Sequence, residues 1–270
     1  MSAPIVEATP HQRVRNNLEE LGLDRMADVV GEHMSLVASG AKTFPESMLE
    51  MTDAQLAAVR ERDLWRRVEK ANFPYVKTLA DFDFSFQPSI PRGVVEDLAG
   101  MGWLERKENV VLVGSPGVGK THIAVALGVE AVRARKLTYF ADCQRLVTDL
   151  KRASEKGALE RRMRFYAHLS LLILDEVGYL EVDKEGADLV FQLVSRRYER
   201  RSTIVTTNVG IGAWAKVFGD PVTASAIADR LCHHCTVIRI TGRSYRTKDL
   251  LPERGEGAPE GRDGEWTQGR

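Results

Sequence analysis

The sequence has little cysteine, no long apolar run and no net charge, and each shortage excludes a class of protein. Three cysteines among 270 residues cannot form a disulfide framework, which favours a reducing compartment. The chain has no run of about 18 apolar residues, so we predict no membrane-spanning helix and no membrane partner. Residues 1–10 lack the basic and apolar regions of a secretory signal. We therefore expect a cytoplasmic protein.

The charge balance hides an uneven distribution along the chain. The 38 basic and 38 acidic residues cancel, which excludes a globally basic, histone-like protein. Residues 91–251, however, carry 25 basic and 19 acidic side chains, a net charge of +6. This middle segment is therefore the candidate for contact with a polyanion. Residues 252–270 are rich in glycine and poor in aliphatic side chains, so we predict a disordered tail.

Hydrophobic periodicity divides the rest of the chain into three regions. Residues 1–71 repeat apolar side chains near every 3.6 positions, which predicts a small N-terminal helical domain with Thr52 as a candidate helix N-cap. Residues 72–107 are predicted to be a linker, and the alternation in Phe82–Phe86 suggests a short strand there. Residues 108–251 alternate β-branched apolar runs with amphipathic segments, which is typical of a three-layer α/β/α domain with a parallel sheet.

The strongest motif is Gly-Ser-Pro-Gly-Val-Gly-Lys-Thr at Gly114–Thr121, between a predicted strand and a predicted helix. This is the pattern of a P-loop, whose backbone N–H groups wrap phosphates at a helix N-terminus. Lys120 would reach the β- and γ-phosphates, and Thr121 would offer its hydroxyl to Mg²⁺. The predicted cofactor-binding residues are Gly114, Ser115, Pro116, Gly117, Val118, Gly119, Lys120, Thr121 and His122. ATP and Mg²⁺ are the predicted cofactors.

A second motif is the apolar run Leu171–Leu174 followed by Asp175 and Glu176. A buried strand that ends in two carboxylates places one near the metal and the next near the attacking water. We predict that Asp175 holds Mg²⁺ together with Thr121, and that Glu176 polarises the hydrolytic water. A base beside the metal ligand favours water as the acceptor, which argues against small-molecule kinases and indicates an ATPase.

Two further polar residues each have two interpretations. Asn208 follows the predicted strand Thr203–Thr207, where it either acts on the water or the γ-phosphate or caps a turn. Arg230 lies on a mostly apolar predicted helix. It either pairs with the adjacent Asp229 or acts as an arginine finger on the γ-phosphate of a neighbouring subunit. The predicted catalytic residues are Lys120, Glu176, Asn208 and Arg230.

Basic residues concentrate in two groups. The first lies within 14 residues on predicted helices that flank Gly157, and its members are Lys151, Arg152, Lys156, Arg161, Arg162 and Arg164. They either contact the phosphates of DNA or form a solvated helix face. The second group is Arg196, Arg197, Arg200 and Arg201, which could face DNA, a neighbouring subunit or water.

The segment Cys232-His-His-Cys235 resembles a zinc-binding pattern only superficially. Four ligands on four successive residues cannot all converge on one tetrahedral ion. No second pair of cysteines or histidines lies nearby in the sequence. We therefore predict no zinc site from this segment.

Together these motifs resemble the IstB-type transposition helper ATPases, relatives of the DnaC-type helicase loaders within the AAA+ superfamily. The resemblance covers about residues 11–250. It rests on the segments Gly114–His122, Leu171–Leu180, Phe191–Ser202, Thr206–Asn208, Ala224–His234 and Gly242–Arg246. The resemblance implies a P-loop AAA+ domain with little or no C-terminal lid.

The resemblance also implies roles for individual residues. It makes Asn208 the residue that senses the bound nucleotide and Arg230 the finger that acts across a subunit interface. It assigns the first basic group to DNA binding. Since the lid that usually supplies a second sensor arginine is reduced, Arg243 or Arg246 would substitute for it.

As a function, the resemblance implies an ATP-dependent DNA-binding helper of transposition that hydrolyses ATP. The implied partners are duplex DNA, bound largely without regard to sequence, a partner transposase, and further copies of the chain assembled with ATP. A DnaC-type replicative helicase loader is the alternative. A stand-alone NTPase with a small-molecule acceptor is a third interpretation.

Overall fold

The protein is described by a computed structural model over residues 9–247, so the tail predicted at 252–270 lies outside the described residues. The strands are β1 (Asn109–Gly114), β2 (Thr138–Asp142), β3 (Leu171–Val177), β4 (Ser202–Thr207) and β5 (Cys235–Ile240). The helices are α1 (Pro10–Glu20), α2 (Asp24–Ala38), α3 (Phe44–Lys70), α4 (Arg92–Ala99), α5 (Gly102–Glu105), α6 (Lys120–Arg133), α7 (Cys143–Glu155), α8 (Leu159–His168), α9 (Lys184–Arg197), α10 (Trp214–Phe218) and α11 (Pro221–Cys232). Short 3-10 turns occur at Leu79–Asp81, Ile211–Ala213 and Tyr245–Thr247.

The five strands form one parallel sheet in the order β2-β3-β4-β1-β5. Alternate residues of the central strands face opposite layers, as the strand period of two requires. Val111 and Val205 pack with α7 to α11, whereas Val110 and Ile204 pack with α4 to α6. The predicted three-layer α/β/α fold is confirmed.

The N-terminal helices α1 to α3 pack around Met26, Val30 and Met51. Helix α3 begins earlier than the sequence suggested. Its N-cap is Thr43, whose side chain accepts the Glu46 N–H while the Glu46 carboxylate accepts the Thr43 N–H. Thr52 lies inside the helix, and its hydroxyl donates to the Met48 carbonyl. The prediction of Thr52 as an N-cap is therefore wrong, because the stronger capping box lies nine residues upstream.

The region between α3 and β1 contains helices, and the strand suggested at Phe82–Phe86 is absent from it. Helices α4 and α5 bury Val95, Leu98 and Trp103 in the core beneath the sheet. The phenylalanines alternate because the chain runs over the surface of the domain: Phe82 and Phe84 pack against this core at its edge. Residues 75–87, which we call the strap, thereby lie against the loop between β1 and α6. Among residues 9–247, no helix is long and apolar enough to cross a membrane.

Candidate functional site

A cavity of about 540 Å³ opens where the strands end, at the carboxyl edge of the sheet. Segments that are far apart in the sequence line it. They are the strap, the loop Gly114–Gly119 with the start of α6, the end of β3, the end of β4, and the 3-10 turn Tyr245–Thr247. A crevice at the carboxyl ends of parallel strands is the usual place for a ligand in an open α/β sheet.

The loop between β1 and α6 has the backbone that a phosphate cradle needs. Gly117 and Gly119 have φ of +82° and +100°, which side-chain-bearing residues rarely adopt. Neighbours also leave no room for side chains there: a Cβ on Gly117 would lie 2.0 Å from Ser244 Oγ, and one on Gly119 would lie 2.6 Å from the Phe82 ring. The loop leads directly into the N-terminus of α6, where backbone N–H groups and the helix dipole favour anions.

Lys120 begins α6 and lies inside this loop. Its ammonium donates to the carbonyls of Gly114 at 2.7 Å and Ser115 at 2.8 Å. Burial lowers the pKa of Lys120, and the negative charge of Asp175 opposes that shift. Phosphate oxygens would compete for the same ammonium hydrogens, so a bound polyphosphate would compensate a charge that has lost much of its solvent.

Next to Lys120 the end of β3 supplies a buried carboxylate. Asp175 is only 6% exposed and accepts hydrogen bonds from Thr121 Oγ1 at 3.0 Å and from Thr206 Oγ1 at 2.5 Å. Burial raises its pKa, while the two hydroxyl donors act in the opposite direction. A hydroxyl and a carboxylate are the hard oxygen ligands that Mg²⁺ takes beside phosphates. Thr121 and Asp175 therefore fit the predicted metal site.

Glu176 differs from Asp175 in its surroundings. It is exposed, it has φ of +60°, and its N–H donates to Thr206 Oγ1 at 3.0 Å. Burial and then the negative charges of Asp175 and Asp142 raise its pKa. The left-handed backbone turns Glu176 out of the strand so that its side chain lines the cavity. The arrangement places one buried carboxylate beside Thr121 and one exposed carboxylate in the cavity.

Several residues of the cavity were not identified from the sequence. Asp142 ends β2 directly opposite Asp175, and its negative charge raises the pKa of Glu176. The Thr206 hydroxyl donates to the Asp175 carboxylate and accepts the Glu176 N–H. The strap contributes Tyr75 and Asp83 among its lining residues. A polar residue at the end of each neighbouring strand was the signal that could have indicated Asp142. No local signal marked the strap.

Asn208 and Arg246 line the cavity, whereas Arg230 does not. The Arg246 charge lowers the pKa of Glu176, after the larger effects of burial and the carboxylates, which places the guanidinium near that side chain. Arg243 lies instead over the Phe86 ring, 5.9 Å from its centroid. Of the two candidate arginines, Arg246 is thus the one brought to the site.

Arg230 lies outside the cavity on α11. Its guanidinium lies 4.8 Å from the ring centroid of Phe191 on α9 and donates to the Ala226 carbonyl at 3.0 Å. An ion pair with Asp229, one of its two interpretations, is absent from the ion pairs among residues 9–247. The remaining interpretation requires a second subunit.

The first basic group is partly neutralised within the chain. Lys151 pairs with Asp183, Arg162 with Asp149, and Arg164 with Glu160. Arg162 also lies over the rings of Phe165 and Tyr166 on its own helix, and its ion pair with Asp149 joins α8 to α7. The members that are exposed and have no ion pair among residues 9–247 are Arg152, Lys156 and Arg161.

The second basic group does not form one surface. Arg197 is 2% exposed and donates to the carbonyls of Tyr166 and Leu169 and to Thr203 Oγ1. It is a structural residue between α8, α9 and β4, and burial lowers its pKa to about 9. Arg196 forms a two-bond ion pair with Glu160 at 2.8 and 2.9 Å.

The cysteines and the histidines of the Cys232–Cys235 segment lie in different surroundings. Cys232 and Cys235 are half-buried and pack against the hydrophobic core. His233 and His234 are exposed and lie beside Glu199. The two pairs therefore do not share a site.

A P-loop on a parallel sheet of this strand order, with an Asp-Glu pair on a strand of the same sheet, defines a P-loop protein of the AAA+ type. Solved structures share the fold. The DnaC helicase loader is 23% identical with a TM-score of 0.50, covering 64% of this chain and 98% of that one. AMPPCP-bound DnaA from Aquifex aeolicus is 20% identical with a TM-score of 0.52, covering 64% of this chain and 53% of that one.

Within that class, the chain belongs to the family of IstB-like ATP binding proteins, whose sequence model matches residues 16–251. The insertion sequence IS21 ATP-binding protein of Pseudomonas aeruginosa is 49% identical over 86% of this chain and 88% of the relative. The insertion sequence IS232 ATP-binding protein of Bacillus thuringiensis subsp. berliner is 42% identical over 88% of this chain and 96% of the relative. The family predicted from the sequence is confirmed.

Proposed function

We propose that this protein is a Mg²⁺-dependent ATPase that binds DNA and assists a transposase, with ATP controlling assembly of the chain on DNA. The observation that carries the proposal is the pairing of Asp175, bonded to Thr121 of the P-loop, with Glu176 turned into the same cavity. This pair supplies a metal ligand and a base for water within one site.

The hydrolytic step uses residues that meet at the cavity. Thr121 and Asp175 would hold Mg²⁺, which neutralises charge on the phosphates. Lys120 leaves the carbonyls of Gly114 and Ser115 to bind phosphate oxygens. Glu176 accepts the proton of the attacking water, and its raised pKa makes it a better base than an ordinary glutamate.

Two further residues would contact the γ-phosphate from the remaining sides of the cavity. Asn208 extends from the end of β4, and Arg246 enters from the turn that follows β5. The Tyr245 N–H donates to the Gly117 carbonyl at 2.9 Å, so the P-loop and the Arg246 turn are directly connected. Arg246 therefore substitutes for the sensor arginine of a C-terminal lid.

Arg230 completes the site of a neighbouring subunit. The guanidinium is partly exposed on α11 and lies outside its own cavity, which is the placement that a finger acting in trans needs. ATP would bring subunits together because the finger gains its partner only when the γ-phosphate is present.

Duplex DNA would contact the exposed face of α7 and α8 through Arg152, Lys156 and Arg161, with little regard to sequence because phosphates carry no sequence information. The relatives encoded by insertion sequences favour a transposase as the partner over the helicase of a DnaC-type loader. A helicase loader remains the alternative, since the loader structure shares the same fold.

The proposal is tested by ATP-dependent DNA binding. Glu176→Gln should bind ATP, form the DNA complex and fail to release it, because only the proton acceptor is lost. Lys120→Ala should fail to form the complex, since it no longer compensates the phosphate charge. Both variants are compared with the parent by electrophoretic shift on random-sequence duplexes with ATP, ADP or no nucleotide. Binding that ignores nucleotide in all three proteins would contradict the proposal.

The choice between partners needs a second measurement. The transposase encoded beside the gene is mixed with this protein, and strand transfer into target DNA is measured with and without ATP. We expect stimulation that requires ATP and is lost in Lys120→Ala. Stimulated loading of a replicative helicase, with no effect on strand transfer, would favour the loader.

A further inference from the structure

Two turns at the edge of the sheet opposite the nucleotide cavity bring together three side chains of the types that commonly serve as metal ligands. Glu199 lies in the turn between α9 and β4, and His233 and His234 lie in the turn between α11 and β5. Both turns precede the strands, whereas the cavity lies where the strands end. The cluster is therefore separate from the site described above.

The distances within this cluster suit a single ion. Glu199 Oε1 lies 3.7 Å from His233 Nδ1 and 3.6 Å from His234 Nε2, and one potential ligand atom from each residue lies within 4.8 Å of the others. Ligand atoms bonded at about 2.0–2.1 Å to a tetrahedral ion are roughly 3.3–3.5 Å apart. The side chains are 50–55% exposed, so they can rotate to close the remaining gap.

The backbone beneath the cluster is fixed by one buried side chain. Asn109, at the start of β1, receives the Thr203 N–H at 2.8 Å on its Oδ1 and donates from Nδ2 to the Leu231 carbonyl at 3.0 Å. Its own N–H donates to the His234 carbonyl at 2.8 Å. Asn109 thus sets the spacing of the two turns before any ion binds, which reduces the ordering that binding requires.

The surroundings leave these ligands available. The Tyr198 hydroxyl lies 2.6 Å from His233 Nδ1 and also interacts with the Glu199 carboxylate, so an ion would replace both contacts of this one hydroxyl. Glu108, whose charge also reaches His234, is held by Arg106 through bonds of 2.7 and 2.9 Å. Cys232 and Cys235 pack against the core instead. The donor set is therefore two imidazole nitrogens and one carboxylate oxygen.

We propose that Glu199, His233 and His234 form a surface site for a divalent transition-metal ion of the Zn²⁺ type. This departs from the sequence prediction of no zinc site at Cys232–Cys235, because one ligand, Glu199, comes from a different turn and the cysteines are not part of the site. Imidazole donors favour Zn²⁺, Ni²⁺ or Cu²⁺ over Mg²⁺, so the site discriminates against the ion expected with ATP. Water or a ligand from another molecule takes the fourth position. The bound ion joins the α9–β4 turn to the α11–β5 turn and so stabilises the sheet across β1.

The test is calorimetric titration of ZnCl₂ into the full-length protein without an affinity tag, in excess MgCl₂ and without nucleotide. We expect one Zn²⁺ per chain and a higher thermal unfolding midpoint. Glu199→Gln, His233→Ala and His234→Ala should each weaken Zn²⁺ binding at least about tenfold, a loss of the size seen when metal-site contacts are removed. His168→Ala, which removes an exposed histidine on α8, is the matched control and should bind like the parent.

The cysteines provide the decisive comparison. Cys232→Ser/Cys235→Ser should retain Zn²⁺ binding, and the Co²⁺-loaded parent should lack the near-ultraviolet thiolate charge-transfer band. Loss of binding in the double cysteine variant, or a strong thiolate band, would show that the cysteine sulfurs bind the ion, and this would overturn the proposal. Absence of Zn²⁺ binding by the parent, or unchanged binding in all three ligand variants, would overturn it as well.

Discussion

Asp175 is an ionisable residue that the fold buries away from solvent. The free-energy cost of its negative charge is therefore a property of the site. The carboxyl has a raised pKa in the folded chain, so between the unfolded and folded pKa values the folded protein binds more protons than the unfolded chain. Ionisation of Asp175 therefore costs stability, and the cost grows as the pH rises toward the folded pKa and is complete above it. Mg²⁺ and the phosphate-bound state would recover it.

Asp175→Asn should therefore stabilise the nucleotide-free protein at neutral pH. The amide keeps an acceptor for Thr121 or Thr206 and removes the buried charge. Thermal unfolding without Mg²⁺ should show a higher midpoint, about 2–4 °C for each kcal/mol gained in a domain of this size. The gain should shrink toward about pH 4, near the ordinary pKa of an aspartate, where the parent carboxyl gains its proton. An equal gain at both pH values would show that ionisation is not its cause.

Arg246 should matter for nucleotide and Arg243 should not. Arg246→Ala removes a cation from the cavity, and charge-assisted bonds to phosphate are worth about 1.5–3 kcal/mol, so we expect ATP affinity or turnover to fall roughly 10- to 100-fold. Arg243→Ala is the matched control, because its guanidinium lies over Phe86 instead. Equilibrium ATP binding and steady-state hydrolysis measure both. Equal losses in the two variants would mean that the turn, and not the guanidinium, is what matters.

At the scale of helices and strands, the sequence predicted the features that depend on residues close together in the chain. The P-loop, the Asp-Glu strand and the alternating elements were all identified, because each depends on spacing within one segment. The short strand suggested at Phe82–Phe86 is wrong, because Phe82 and Phe84 pack against the edge of the core without joining the sheet. Arg162 and Arg197 looked like surface charges because sequence does not reveal that ion pairs or carbonyls will satisfy a charge locally.

Helices α7 and α8 provide a test of which basic residues reach DNA. Arg152→Ala/Arg161→Ala removes two exposed charges that have no ion pair among residues 9–247, whereas Lys151→Ala/Arg164→Ala removes two that pair with Asp183 and Glu160. Each lost phosphate contact should flatten the slope of log K against log salt by about 0.9 on duplex DNA. We expect the first variant to weaken binding to all sequences and the second to change it little. Similar slopes in both variants would indicate that the exposed face of α7 and α8 is a solvated helix face and does not contact DNA.

At the scale of the whole molecule, the cavity is a product of topology. The strap, the P-loop and Arg246 are separated by many residues, yet the order of the sheet brings β1, β3 and β4 side by side, and the chain after β5 returns over Gly117. Arg230 remains outside this assembly. A single chain therefore holds all predicted parts of the site except its finger, which makes the proposed active unit larger than one subunit.

Mixing two inactive variants tests this directly. Glu176→Gln lacks the base and keeps the finger, whereas Arg230→Ala keeps the pocket and lacks the finger, so each should hydrolyse ATP slowly alone. Where subunits exchange, their mixture forms interfaces that pair an intact pocket with an intact finger, and hydrolysis should recover in part. Mixing Arg230→Ala with the double variant Glu176→Gln/Arg230→Ala supplies no finger and should recover nothing. Rapid ATP hydrolysis by a dilute, monomeric Arg230→Ala protein would show that Arg230 has no role in trans, because that protein would complete its site from one chain.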